Sequence, residues 1–365
     1  MHISAQITGL KYQPFCTANL TEVDFNEFNI NSRKTYFTTK NKNFSFSISK
    51  WKSPKRTRSY PFERVYNTLG FNKKITVIPV IKDEGRDGDR DYIQWDTISL
   101  MSLMDVYVIL AYYNYAERNK RYENKATNFK FDNEYVKEKV IEISNYHSSP
   151  LHWNLKEIKE TLPSLIDIAQ ESYNHLEKEL NVDFHNSRGI QSFKDQFQKG
   201  VTDFMNTSRN KAKEAQNRER QTTQPKEFLS TSTKATITIK NYLGGIYYFT
   251  TDEIAAIGNE LQLIEGKHSR DSILPSIGDI KDGLLKMVLY CNLTDVKVNE
   301  INFTPKPVLK LTSTNISGRI TSNSASSEID GFKTANNFNK NHIYIIENLF
   351  IEAQTNNFEV IIESV

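Results

Sequence analysis

The spacing of apolar residues changes twice along this chain, and that order limits the folds open to it. Up to about residue 115 the apolar runs are short, and in residues 44–49 apolar and polar side chains alternate as in a half-buried strand. From about residue 133 to residue 220 apolar side chains recur every three or four positions, which predicts helices. Strand-type runs return after residue 231. This order predicts a mixed α/β (α+β) protein.

Length and composition indicate more than one domain. The chain has 365 residues, which suggests two or three domains, and its 38% hydrophobic content is enough for a packed core. We predict a β-rich domain over residues 1–130, a helical segment over residues 131–225 and a C-terminal domain over residues 226–365. Within the first of these, residues 75–113 read as strand, helix and strand, which predicts a crossover unit in a mixed sheet.

Cysteine usage and hydropathy bear on the compartment. Cys16 and Cys291 lie far apart, so neither a zinc cluster nor a disulfide framework is expected. The N-terminus lacks the basic and apolar regions of a signal peptide. The longest apolar run, residues 106–113, is far shorter than the roughly 20 residues of a membrane-spanning helix. We therefore expect a cytoplasmic protein that does not enter a membrane.

Two segments are rich in basic residues. Residues 50–64 carry six Lys or Arg side chains against one Glu, with aromatic residues between them. Such a segment can contact phosphates and stack its rings on bases, or it can be a solvated loop; we favour nucleic-acid contact. Residues 209–220 carry five basic side chains against two acidic ones, a pattern that on a helix is more often a solvated face. The candidate DNA-binding residues are Lys55, Arg56, Arg58, Arg64, Arg209 and Lys213.

The residues with the clearest chemistry lie between residues 248 and 269. The sequence predicts a β-hairpin here, with its turn at Gly258. Side chains alternate along a strand, so Glu265 and Lys267 are expected on the same face. The hairpin brings Asp252 to the same end of the sheet. Two carboxylates and one ammonium group are therefore expected together at the end of an otherwise apolar strand.

Metal-dependent hydrolysis of a phosphodiester requires such a set of groups. Asp252 and Glu265 would hold Mg²⁺, with the backbone carbonyl of Gly266 as a further ligand. Bound Mg²⁺ polarises the phosphate and lowers the pKa of a bound water. Lys267 would orient that water or stabilise the charge that develops on the phosphate. The alternative interpretation is a surface salt-bridge cluster at a strand end.

An acid on one strand, followed on the next by E-x-K, resembles the motif of the PD-(D/E)xK nuclease superfamily, the fold of most type II restriction endonucleases. The acid is Asp252, and Glu265-Gly266-Lys267 follows 13 residues later. A predicted helix over residues 279–293 and a predicted strand over residues 307–312 continue the order typical of that family. Thr251 stands where the motif has its proline, a position that varies among members. Glu227 is the candidate for the additional acid that some members contribute.

The resemblance implies a fold and an activity. Residues 226–365 would form a restriction-endonuclease-like mixed sheet flanked by helices, with residues 1–130 as a DNA-recognition domain. The implied activity is Mg²⁺-dependent, sequence-specific cleavage of double-stranded DNA by a homodimer, with a cognate DNA methyltransferase encoded nearby as a further partner. One alternative is a less specific nuclease of repair, recombination or phage defence on the same core. Another is a DNA-binding protein whose nuclease core is inactive.

An acidic loop over residues 82–91 is the main alternative candidate for a metal site. Its acids do not have the spacing of an EF-hand loop, and Arg86 and Arg90 dilute their charge. A DNA-facing or structural loop is therefore favoured over a metal site. The acids are Asp83, Glu84, Asp87, Asp89 and Asp91.

Overall fold

A computed structural model describes residues 1–32, 36–41, 44–55, 61–198, 201–221 and 234–365. The chain forms two compact units, Asn19–Asn210 and a second unit made of Met1–Ala18 together with Lys211–Val365. These bounds differ from the three predicted segments because the first strand, β1 (His2–Ile7), pairs with strands from the C-terminal part of the chain.

The described part of the unit Asn19–Asn210 contains one mixed sheet of five strands and two antiparallel strand pairs, together with helices. Its strands are β2 (Glu22–Asp24), β3 (Tyr36–Asn41), β4 (Phe44–Lys50), β5 (Lys73–Pro79), β6 (Ile81–Asp83), β7 (Arg90–Tyr92), β8 (Val106–Ala111), β9 (Tyr113–Arg118) and β10 (Ala126–Phe131). Its helices are α1 (Pro61–Tyr66), α2 (Trp95–Leu103), α3 (Asn133–Ser144), α4 (Pro150–Lys156), α5 (Leu162–Leu180) and α6 (Arg188–Gln198). The boundary between the units falls within α7 (Val201–Gln221).

The main sheet of this unit has the strand order β2-β3-β4-β5-β8. Strands β5 and β8 are parallel and are connected through α2, so the predicted crossover is present. Every residue of β8 is buried, as is typical of a strand covered on both faces. Side chains from α4 bind the backbone of β8: Trp153 Nε1 donates to the carbonyl of Val108, and Asn154 Oδ1 accepts from the Val108 amide. These groups satisfy strand polar groups that would otherwise be available to another chain.

At Pro163 the structure decides between two alternatives that the sequence leaves open. The sequence predicts one helix over residues 154–180, with Pro163 as either a kink or a second start. The structure has α4, a π-helical turn at Glu157–Thr161 and then α5, with the proline in the first turn of α5. Proline fits there because the first amide groups of a helix have no partner within the helix.

The second unit is built around one mixed sheet. Its further strands are β11 (Ala235–Asn241), β12 (Ile246–Thr251), β13 (Glu253–Ile257), β14 (Glu260–Ser269), β15 (Thr294–Val298), β16 (Ile301–Ser313), β17 (Arg319–Thr321) and β18 (Glu359–Ser364). Its further helices are α8 (Ile277–Tyr290), α9 (Ser326–Ala335) and α10 (Lys340–Asn356). In the described part of the chain, β1 and these eight strands form a sheet of nine strands.

The sequence predicts one continuous strand over residues 246–257, but the structure interrupts it at Asp252. The part before it, β12, pairs with β11, whereas the part after it, β13, pairs with β14. The chain therefore changes partners at this residue, as strands do where a sheet turns a corner. Strand β16 makes the same change, since it pairs with β15 near its start and with β14 and β18 further on.

The predicted hairpin is confirmed as the antiparallel pair β13–β14. Ile257 faces Glu260 across the turn, and Gly258 has a φ of +60°, a conformation that glycine adopts without strain. Strand β14 then runs parallel to β16, with α8 packed on both strands. The predicted strand over residues 307–312 lies within β16, and the predicted helix over 279–293 corresponds to α8.

Candidate functional site

Glu265 lies inside the protein and not at a strand end. Strand β14 continues for four residues beyond it, to Ser269, and α8 packs on that strand. The side chain of Glu265 is only 2% exposed. The prediction of a charged group at the end of an apolar strand is therefore wrong on this point, because the strand is longer than its apolar run. The cluster around Glu265 is buried, which also argues against a surface salt-bridge cluster.

The hairpin brings Asp252 against the E-x-K segment. Its Oδ2 accepts a hydrogen bond of 2.9 Å from the amide of Gly266, and its Oδ1 lies 3.5 Å from Nζ of Lys234. The carboxylate is buried. Asp252, Glu265, Gly266 and Lys267 thus lie together, as the spacing predicts.

The neighbouring acid, Glu253, faces the other way. Its carboxylate lies 3.6 Å from Nζ of Lys310. Lys310 pairs in register with Gly266, so its side chain lies on the face of the sheet opposite to Glu265. Of the two adjacent acids, Asp252 is therefore the one that binds the E-x-K segment, through the backbone amide of Gly266.

Both oxygens of Glu265 bind an ammonium group. Lys267 donates to Oε1 at 2.9 Å, and Lys286 of α8 donates to Oε2 at 2.7 Å. Nζ of Lys267 also lies 3.5 Å from Oδ2 of Asp282, and Lys286 donates to the carbonyl of Thr250 at 3.4 Å. The three described segments β12, β14 and α8 therefore meet at one carboxylate.

The ammonium groups of Lys267 and Lys286 keep the Glu265 carboxylate ionised. Burial by itself would raise the pKa of Glu265, but the ammonium groups of Lys267 and Lys286 lower it to about 2. Burial by itself would lower the pKa of Lys267, but Glu265 and Asp282 raise it above its ordinary value. At neutral pH Glu265 is an anion and Lys267 is a cation, the forms that a metal ligand and an electrostatic catalyst require.

Sequence reasoning did not identify the contribution of α8. Asp282 and Lys286 lie one helical turn apart, so they share a face of the helix. A Cβ at Gly283 would lie 2.8 Å from Cδ1 of Leu309 and 3.2 Å from Cε of Lys267, so a larger residue would force these side chains to shift. The sequence does contain one indication of this contribution. Two opposite charges lie four residues apart, beside a glycine, in a helix that is otherwise largely apolar.

Lys234 is the other group that sequence reasoning missed. It is buried immediately before β11. Ala235 pairs with Thr251, so continuation of this register places Lys234 beside Asp252. No local pattern marks it, because the contact depends on a pairing between distant strands. The candidate acid Glu227 lies outside the described residues.

The site contains oxygen ligands suited to Mg²⁺. Within the ranges that the structure describes, no three His, Cys, Asp or Glu side chains converge as a site made of side chains alone would require. Mg²⁺ retains several waters and commonly binds through one or two carboxylates, so Asp252, Glu265 and one backbone carbonyl suit it in kind. Ion pairs and the Gly266 amide connect three acids (Asp252, Glu265 and Asp282) with three lysines (Lys234, Lys267 and Lys286), so the formal charges of the cluster balance.

Two of the four described basic residues between positions 50 and 64, Lys50 and Arg64, are buried inside their own unit. Arg64 is 7% exposed, and its guanidinium donates to the carbonyl of Lys50 at 3.0 Å, which does not favour its predicted phosphate contact. Lys55 has a side chain 45% exposed and lies 3.1 Å from Asp91. Trp51 and Phe62 are buried, so they brace the fold and do not stack on bases. Arg56, Arg58 and Tyr60 lie outside the described residues.

The other two predicted DNA contacts lie on α7. Arg209 donates to Oδ1 of Asn206 at 3.3 Å, and Lys213 is exposed. Buried side chains recur every four residues along this helix, so it has one buried face. These buried residues are Phe204, Ser208, Ala212 and Gln216.

The acidic loop joins β6 and β7, and its acids bind groups of their own unit. Asp83 is buried and lies 2.7 Å from Nδ1 of His185, while Glu84 lies 2.6 Å from Nζ of Lys82. Asp91 accepts from Oγ of Ser53 at 2.9 Å. These contacts favour the structural interpretation of the loop over a metal site.

Comparison with known proteins assigns no family: no family model, no curated protein and no solved structure matches this chain. Within the ranges that the structure covers, no helix combines the length and the apolar character needed to cross a membrane.

Proposed function

We propose that this chain is a Mg²⁺-dependent DNA endonuclease with Asp252, Glu265 and Lys267 as its catalytic residues. The observation that supports this most strongly is the hydrogen bond from the Gly266 amide to Asp252, which joins the acid of the hairpin to the middle of E-x-K. A cluster that served only as a salt bridge would not require this second buried carboxylate beside the first.

The order of elements around the site supports the finer fold. An antiparallel hairpin carries the acid and E-x-K, α8 follows, and β16 lies parallel to β14. This is the order that the resemblance to the PD-(D/E)xK superfamily implies. We therefore propose a restriction-endonuclease-like core for the second unit.

The site residues divide the chemical work between them. Asp252, Glu265 and the carbonyl of Gly266 would hold Mg²⁺, which when bound polarises the phosphate and lowers the pKa of a water. Glu265 is ionised at neutral pH because two ammonium groups stabilise its charge. Lys267 presents a permanent cation beside that carboxylate, where it can hold the attacking water or the charge that develops on the phosphate oxygens. Burial strengthens these interactions, since the local dielectric constant is lower than that of water.

We infer a restriction-type activity from the size of the part of the chain that lies outside the catalytic unit. Asn19–Asn210 is a compact unit of its own, more than phosphodiester hydrolysis requires, and reading base edges in the major groove needs such additional surface. Cleavage of both strands at a palindromic site implies a homodimer, and protection of the host's own DNA implies a cognate methyltransferase. The alternative is a less specific nuclease on the same core.

A cleavage assay tests the proposal. Long unmethylated double-stranded DNA is incubated with the protein and Mg²⁺. Discrete bands would support a sequence-specific endonuclease, a smear would support the less specific nuclease, and intact DNA would contradict both. Two variants serve as controls: Glu265→Gln should lose cleavage, whereas Lys310→Met, on the opposite face of the same sheet, should retain it.

A further inference from the structure

Strand β13 lies at one end of the nine-stranded sheet, and the four residues that follow Glu253 in it carry no charge. It pairs with β14 on one side, and within the described residues Ile254, Ala255, Ala256 and Ile257 make no hydrogen bond outside that pairing. The last two of these residues are exposed. An edge of this kind presents unpaired amide and carbonyl groups to another strand.

The strand at the other end of the same sheet, β12, is protected. There Gln216 of α7 donates a hydrogen bond of 2.6 Å to the carbonyl of Phe249. In the unit Asn19–Asn210, Trp153 and Asn154 bind the backbone of β8 in the same way. In the part of the chain that the structure describes, no side chain does this for β13, so its edge is open to pairing.

We propose that β13 pairs antiparallel with β13 of a second copy of this chain, so that one sheet continues through a homodimer. Two identical edge strands pair in this way about a two-fold axis perpendicular to the sheet, the symmetry of most homodimers. Such an axis keeps the faces of the sheet aligned, so residues that pair have their side chains on the same face. The longest pairing then has Ala255, the middle residue of β13, opposite its own copy. In this register Ile254 lies opposite Ala256 of the second copy, a large side chain against a small one.

The pairing itself is inferred from the strand edge, whereas its role rests on the proposed function. Asp252 comes directly before β13, three residues from Ala255. With about 3.4 Å per residue, the two copies of Asp252 lie about 20 Å apart along the paired strands. One turn of B-DNA is about 34 Å long, so the two sites are close enough to act on one duplex. The edge of β13 therefore supplies the homodimer that cleavage of both strands requires.

Disulfide trapping of the full chain, without DNA or metal, tests this register. The method suits an interface built on five-residue strands, because it captures dimers that are weakly populated. Opposite Cα atoms of antiparallel strands are about 4.5–5.5 Å apart, a distance that a disulfide spans. Ala255→Cys should therefore form a covalent dimer on oxidation with copper–phenanthroline, and peptide mapping should find the bond between the two copies of position 255.

Ile257→Cys is the matched control. It lies on the same strand and replaces a side chain that is 60% exposed. Its two copies are about 14 Å apart in the proposed register, which is too far for a disulfide. The wild type measures the background from Cys16 and Cys291.

A second pair of variants tests whether the edge itself is needed. Ala256→Lys, added to Ala255→Cys, should suppress trapping because a charge on an edge strand opposes pairing with another strand. Tyr344→Lys, added to Ala255→Cys, places the same charge at an exposed position on α10 and should leave trapping unchanged.

The covalent dimer is expected to form at least about tenfold faster for Ala255→Cys than for Ile257→Cys, because only the first pair of thiols meets the distance limit of a disulfide. No covalent dimer from Ala255→Cys would overturn the β13 interface. Equal rates for the two cysteine variants would also overturn it, since they would mean random collisions. Either failure leaves the proposed nuclease standing, because trapping requires neither DNA nor Mg²⁺. Conversely, failure of the wild type to cleave DNA would overturn the nuclease and leave a trapped dimer unexplained by it.

Discussion

The Oδ2 atom of Asp252 accepts a hydrogen bond of 2.9 Å from the amide of Gly266, across 14 positions of the sequence. This bond is possible because the chain leaves β12 at Asp252 and returns along β14 after the turn at Gly258. It fixes one carboxylate beside the residue that follows Glu265.

Removal of the metal should abolish cleavage. Asp252 and Glu265 supply two carboxylates, so DNA cleavage should stop in EDTA and return when Mg²⁺ or Mn²⁺ is added. Ca²⁺ should support DNA binding but little cleavage, since its looser coordination geometry positions a water less well. Gel assays of cleavage and of binding, each with the three cations, provide the measurement. Full cleavage in EDTA would exclude the mechanism.

Substitution of Lys267 should affect the chemical step more than binding. Lys267→Met removes a cation that acts mainly in the transition state, so the cleavage rate should fall about 10²–10³-fold while DNA affinity changes little. Lys310→Met is the matched control, because Lys267 and Lys310 have side chains exposed to the same extent, 15%, and Lys310 lies on the opposite face of the sheet. Single-turnover cleavage rates and metal-free DNA affinities are measured for the wild type and for both variants. Wild-type cleavage by Lys267→Met would place the active site elsewhere.

Substitution of Glu265 should affect stability as well as activity. Glu265→Ala would leave Lys267 and Lys286 without the carboxylate that both bind, and breaking a buried pair typically costs about 3–5 kcal/mol. The control is Glu363→Ala, which also removes a partner of two basic side chains but from a side chain that is 25% exposed. Glu363→Ala should lose about 1 kcal/mol or less of the free energy of unfolding. Urea unfolding of both variants gives the comparison, and equal losses would contradict the burial of Glu265.

Substitutions of the basic residues between positions 50 and 64 should have two different effects, one on DNA binding and the other on stability. If Lys55, Arg56 and Arg58 contact phosphates, replacing all three by alanine should reduce the slope of log affinity against log salt by up to about 3 units. Arg64→Met should instead lower the free energy of unfolding, because the buried guanidinium binds the carbonyl of Lys50. DNA binding at several salt concentrations and urea unfolding measure the two effects. An unchanged salt slope for the triple variant would favour the solvated-loop interpretation.

Stability should depend on pH through Lys50. Burial, with a smaller contribution from Arg64, lowers the pKa of Lys50 from 10.5 to about 8. Between these values the unfolded chain keeps the proton that the folded chain has lost, so the free energy of unfolding should rise with pH across this window. Wild type and Lys50→Met are compared by urea unfolding from below pH 8 to pH 10.5. The wild type should gain stability relative to the variant, and a relative loss would contradict the assignment.

Local sequence information was sufficient for the elements whose geometry is set by near neighbours. The hairpin β13–β14 follows from a glycine turn between two apolar runs, and Gly258 has the positive φ that such a turn requires. Alternation along β14 places Glu265 and Lys267 on one face. Pro163 marks the beginning of α5, since it lacks an amide that the first turn does not need.

Contacts between distant segments could not be predicted from the local sequence. Arg64 belongs to a basic run, yet it lies inside its unit because α1 and β4 bring its guanidinium to the carbonyl of Lys50. His2–Ile7 belongs with the C-terminal unit because its partner strands come from residues beyond 234. Neither placement has a signature in the neighbouring sequence.

The sequence by itself determined the pair of acids and the lysine of the motif, because their relation depends on strand alternation and one tight turn. Only the tertiary structure decided that Lys286 and Lys234 complete the cluster and that Glu265 is buried. Those facts depend on how closely α8 packs on β14, which Gly283 permits, and on which strand pairs with β12. Backbone alternation is fixed by covalent geometry over a few residues, whereas the meeting of buried charges is fixed by packing between segments that the chain brings together only when it folds.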